Sequence, residues 1–100
     1  MLFRLTFGAL ALLAAASPAA AADVARGEVL ARRWCASCHL VAPDQARATP
    51  DTPSFAAIAR RPDAPPLAAF LSASHARMPD MNLTRDEIAD LSEYIRRQAP

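Results

Sequence analysis

The sequence predicts an all-α chain: one small domain behind a short apolar leader. Three observations predict it. Apolar residues recur at helical spacing, and no stretch shows the alternation of a half-buried strand. Thr84-Arg85-Asp86-Glu87 is a complete helix-start signature ahead of an apolar stripe. Neither an internal repeat nor a linker divides the 100 residues.

Each element follows in order. Gly27, Leu30, Ala31 and Trp34 stand at i, i+3, i+4 and i+7, predicting a first helix from Val24 to about Ser37. Gly27 sits inside it at a cost of about 1 kcal/mol relative to Ala, which reads as a notch where another helix crosses closely. Leu40 to Thr52 is polar and broken by Pro43, Pro50 and Asp51, hence a loop. Pro53-Ser54 opens a short helix to about Arg61, with Phe55 and Ile58 apolar. After a break at residues 61–65, Pro66 suits a first helical position. Leu67 to Ser74 then reads as another short helix, with Leu67, Phe70 and Leu71 inward. In the last helix Thr84 is the N-cap, Glu87 completes the capping box, and Ile88, Leu91 and Ile95 line up with Tyr94 beside them.

Met1 to Ala22 reads as a secretory signal peptide. Arg4 supplies the positive start, and Leu5 to Ala16 is an apolar run of about a dozen residues, short of the roughly 20 that a spanning helix needs. Ser17-Pro18 ends the run, and Ala20-Ala21-Ala22 offers a small-residue cleavage site before Asp23. The alternative is an uncleaved membrane anchor. Cleavage leaves a domain at residues 23–100, expected to be periplasmic and without stable membrane insertion. It holds ten acidic and ten basic residues, so its net charge is zero with the histidines neutral. That balance argues against nucleic-acid binding, which wants a basic excess. A 78-residue domain rich in Ala buries a small core and is marginal alone.

Cys35-Ala36-Ser37-Cys38-His39 carries the chemistry. Two thiols two residues apart, followed directly by a histidine, read as a covalent c-type haem attachment site. One turn of backbone presents both sulfurs to the vinyl groups on one porphyrin edge, and His39 supplies the proximal iron ligand. A redox dithiol, a bare disulfide and half of a zinc site are the other readings of such a pair. The first wants a βαβ setting. The last needs about four ligands, and His75 is the sole further candidate, in another segment. A haem would also supply the apolar surface that the small core lacks, so the haem-free chain is expected to be largely unfolded. Export fits, because attachment takes place in an oxidising setting outside the cytoplasm.

The distal iron ligand is expected in His75-Ala76-Arg77-Met78-Pro79-Asp80-Met81. A thioether opposite histidine favours Fe(II) and raises the potential, which suits an electron carrier. Met78 is the choice, since Pro79 restricts its backbone to an extended conformation. Met81 is the alternative ligand, otherwise a core filler; His75 and an open sixth position stand further off. Arg47, Arg60 and Trp34 are candidate partners for the haem propionates.

These residues resemble the class I c-type cytochromes, the small bacterial monohaem kind. The resemblance covers nearly all of residues 23–100 and rests on Cys35 to His39, on Met78-Pro79, on Gly27 eight residues before Cys35, and on the last helix with Leu91 and Tyr94. It implies a small cytochrome c fold in which N- and C-terminal helices cross near Gly27 and Tyr94, while short helices and loops wrap one covalent haem c. It also implies that the Pro53 carbonyl accepts a hydrogen bond from His39, orienting the imidazole and raising its basicity. Thr52 stands where the family commonly has glycine, and Ala31 where its first helix often has an aromatic, with Trp34 nearby. The function implied is one-electron transfer between redox partner proteins by a monomer, not enzymatic turnover. The alternatives are a haem subunit of a larger dehydrogenase or oxidase complex, and a gas or peroxide sensor with a labile sixth ligand.

Overall fold

A computed structural model describes residues 21–62, 66–73 and 78–100. It has four helices, α1 (Val24–Trp34), α2 (Phe55–Ala59), α3 (Leu67–Ser72) and α4 (Arg85–Arg96), and no strand among the described residues. Residues 1–20, which hold most of the expected leader, lie outside the described residues, as does His75. Among the described residues no helix is long and apolar enough to cross a membrane.

Asp23 caps α1, its carboxylate accepting from the Arg26 N–H at 3.0 Å. The helix stops three residues before the expected Ser37. Cys35 and Ala36 both donate to the Ala31 carbonyl, and Cys38 and His39 then turn back to the Cys35 carbonyl, at 3.1 and 2.8 Å. The residues after Trp34 thus form a separate tight turn, which periodicity alone could not distinguish from one more helical turn. Ser54 caps α2 through the Ala57 N–H. Pro66 is the N-cap of α3 rather than its first helical residue: its ψ of 130° is extended, and its carbonyl accepts the first helical bond from Phe70. That helix ends at Ser72, two residues short of expectation, because Ala73 is extended. The capping box of α4 is complete, with Thr84 Oγ1 accepting from the Glu87 N–H and Glu87 Oε1 from the Thr84 N–H.

Helix α4 is the hub: α1 packs along it, and α2 and α3 lean on it. The core is Ala31, Cys35, Val41, Phe55, Leu91, Tyr94 and Ile95, with Leu30 also buried beside it. Gly27 is buried where α1 crosses α4. A Cβ there would run into the Asp90 carbonyl and stand 2.7 Å from Tyr94 Cβ, so the two backbones meet at a distance only glycine permits. Tyr94 closes the crossing from the other side, donating its phenol to the buried Val41 carbonyl at 2.7 Å. Burial pushes that phenol above its ordinary pKa.

A candidate haem-binding site

Residues from the end of α1 and the turn after it, from α2 and α3, from the segments 49–53 and 78–79 and from the end of α4 meet around one cavity of about 700 Å³. Cys35, Cys38 and His39 form part of its wall, with Phe55, Ile58, Leu67, Phe70, Leu71 and Ile95 from the helices and Met78-Pro79 from the loop before α4. Thr49 to Pro53 close another side, so the loop expected to wrap the cofactor does border the cavity. The wall is largely apolar, which suits a porphyrin face, and the volume is in the range of cofactor sites.

The two thiols differ. Cys35 is buried at the end of α1, and that burial, with Cys38 nearby, pushes its thiol up to about 11. Cys38 is exposed, and its sulfur accepts from Ser37 Oγ at 3.8 Å. No disulfide joins them. No group of three or more His, Cys, Asp or Glu side chains is gathered to hold a metal among the described residues, so the zinc reading of the pair finds no partners there.

His39 Nδ1 lies 2.6 Å from the Pro53 carbonyl oxygen. A carbonyl can only accept, so Nδ1 carries the proton and donates, leaving the lone pair on Nε2. The His39 ring also leans on Phe55, centroids 5.6 Å apart, and Phe55 meets Tyr94 edge-on at 6.3 Å. The imidazole is therefore held by one hydrogen bond and one ring contact.

Met78 lines the same cavity as His39. Met81 does not: it lines a smaller one, about 230 Å³, between α3, the 78–83 segment and Ile88, which Met78 also borders, and it packs against the core. Trp34 and Arg61 line the larger cavity, whereas Arg47 and Arg60 are absent from its wall. Trp34 also carries Arg33 over its ring, 5.1 Å from the centroid, so that cation is held against the protein.

Sequence reasoning missed Gln45. Its Nε2 lies 2.9, 2.7 and 2.8 Å from the carbonyls of Ala36, His39 and Arg47, and its Oε1 accepts from the Val41 N–H at 3.0 Å. One side chain thus staples the turn that carries both thiols and the histidine. Nothing in a polar loop marks such a residue; its role comes from chain folding. Thr49 adds to the staple, its N–H donating to the Cys38 carbonyl at 3.1 Å and its hydroxyl to the Ser37 carbonyl at 3.4 Å.

An all-α shell around an apolar cavity, with Cys-x-x-Cys-His in its wall, defines the c-type cytochrome class. Residues 22–95 match the family model described as cytochrome c oxidase, cbb3-type, subunit III. Cytochrome c-552 of Bradyrhizobium diazoefficiens is 51% identical over 88 residues, which cover 86% of this chain and 85% of that protein. No solved structure matches. The chain belongs to this cytochrome c family, its cofactor is covalent haem c, and its role is electron transfer.

Proposed function

We propose that the chain is an exported, periplasmic one-electron carrier whose haem iron takes His39 and Met78 as axial ligands and whose porphyrin is tethered through Cys35 and Cys38. The domain is residues 23–100, released by cleavage after Ala22, and it works as a monomer that meets donor and acceptor proteins transiently. The observation that carries the reading is the shared cavity: both thiols, His39 and Met78 line it, while Met81 borders only the smaller one beside it.

Haem c supplies a one-electron Fe(III)/Fe(II) couple and the apolar face that the cavity wall accepts. The chain's own residues do the rest. Pro53 fixes the tautomer and plane of His39 and raises its basicity as a ligand. Gln45 and Thr49 hold the turn on which the thiols and His39 stand. Pro79 restrains the Met78 backbone. The apolar wall excludes water, keeping the charge change in a low-dielectric setting. With His39 and Met78 both holding the iron, the chain would pass single electrons and transform no substrate.

Optical spectra test the ligation. In the oxidised protein the methionine–iron band is expected, with no rapid CO binding after reduction. Met78→Ala is expected to keep the haem, lose that band, bind CO and lower the potential, and Met81→Ala to leave all three unchanged. The reverse pattern reassigns the distal ligand. The family description, which names an oxidase subunit, favours a second reading, a haem subunit docked in a larger complex. Size-exclusion of native extract separates the two. A free carrier elutes at its own small mass.

A further inference from the structure

Asp90 lies in the middle of α4, its side chain only 6% exposed. Its Oδ1 accepts from the backbone N–H of Asp23 at 2.7 Å, across the crossing of α1 and α4. Its Oδ2 is buried with no hydrogen-bond partner. Arg26 NH1 forms a long ion pair with Oδ2 at 3.8 Å, too far for a hydrogen bond, from a side chain 59% exposed. A carboxylate this buried with one oxygen unsatisfied is costly. The helix pattern does not call for an acid here, on the face that meets Gly27.

The atom that reaches Asp90 is the nitrogen of the residue that cleavage after Ala22 would make the first. We propose that Asp90 is the receptor for the processed N-terminus. Hydrolysis of the Ala22–Asp23 amide adds one water. Ala22 departs as a carboxylate, and the Asp23 nitrogen gains protons to become an α-ammonium. A single neutral donor thereby becomes three donors and a full positive charge. It forms beside a carboxylate that already engages that nitrogen through Oδ1 and has Oδ2 to spare. A positive charge at the start of a helix opposes the helix dipole. Asp23's own carboxylate is turned to the Arg26 N–H as the helix cap, so the anion already bonded to the Asp23 nitrogen is that of Asp90. Processing then ties the first residue of the domain to the centre of its last helix. The inference rests on the leader reading proposed above.

The chain contains no lysine, so the α-amine is the sole primary amine of the mature protein. Acetic anhydride can therefore remove that one charge while keeping an N–H donor for Oδ1. N-terminal sequencing of the exported holoprotein comes first, and Asp23 is expected. Melting midpoints are then compared before and after acetylation, in the wild type and in Asp90→Asn. Acetylation is expected to lower the wild-type midpoint by roughly 4–8 °C. In Asp90→Asn the drop is expected to be much smaller or absent, since there the charge faces only Asp23's own carboxylate and the opposing helix dipole. Equal shifts in the two proteins overturn the ion pair. A first residue other than Asp23 overturns the inference through its premise. Should Asp90→Asn fail to accumulate, the wild type suffices. Its α-amine is expected to acetylate about tenfold more slowly in native buffer than in guanidinium, the ratio of one pKa unit. Equal rates overturn the proposal.

Discussion

The two flanks of α4 are packed in different ways. Along the α1 crossing the chain completes its own interior: Ala31 and Leu91 are fully buried, Tyr94 nearly so, and Gly27 lets the backbones touch. On the other flank, α3 buries none of its six residues, and Phe70 is 41% exposed although it lines the cavity. Of α1, α3 and α4, α3 is the most apolar, so composition does not account for its being the least buried. The partner does. The crossing is matched to protein, and the α3 flank borders the cavity proposed to take the haem. The helix crossing and the cofactor therefore hold different parts of the fold, and each can be attacked separately.

The largest effect is expected from removing the cofactor. Cys35→Ala with Cys38→Ala takes away the tether, and with it the surface that the α2 and α3 flank packs on. Circular dichroism is expected to show most helical signal lost and no sharp melt. Native helicity with a cooperative melt would break the comparison, since the crossing would then suffice alone. The crossing itself is next. Gly27→Val drives a side chain into the Asp90 carbonyl and is expected to destabilise by about 3 kcal/mol. Leu91→Ala empties a fully buried site and is expected to lose roughly 2–5 kcal/mol. Denaturant titration of the holoproteins measures both, and a visible spectrum unchanged under native conditions would show that the damage is confined to the crossing.

Gln45 holds the turn between α1 and the following loop. Gln45→Ala leaves buried or half-buried backbone groups around the haem turn without partners and is expected to lose about 1–3 kcal/mol. A lower yield of attached haem on export should accompany it. The smallest effects concern the start of α4. Thr84→Ala removes an N-cap and is expected to lose about 1 kcal/mol. The Glu87 carboxyl is held below its ordinary value, first by the Thr84 N–H and then by the Thr84 hydroxyl. A lowered folded pKa stabilises at pH values above the unfolded one, about 4.3, and the gain is lost as pH falls through the folded value. The stability gap between wild type and Glu87→Gln should therefore be full near neutrality and close in acid. A gap independent of pH would mean that the charge plays no part in the cap.

How much was legible follows the range of each interaction. The α4 capping box involves residues three apart, and it was read atom for atom. The Gly27 notch also emerged, because a glycine inside an apolar helical face signals close approach even when its partner is distant. The end of α1 was overrun, since a helix and the thiol-bearing turn share one local pattern. Gln45, the buried Val41 and the buried Asp90 went unread. Gln45 and Val41 stand in a stretch without periodicity, and Asp90 sits one position off an apolar stripe, so only tertiary contacts define their roles. The thiol-histidine motif was legible as chemistry for another reason: the cofactor, rather than the fold, dictates its spacing.

One measurement bears most directly on the haem tether. Trypsin cuts after Arg33 and Arg47, so Trp34 to Arg47 leaves the exported protein as one peptide holding both cysteines. Mass spectrometry after alkylation is predicted to find that peptide carrying one porphyrin and no alkylated thiol. The same peptide without porphyrin, alkylated at both Cys35 and Cys38, would contradict the account.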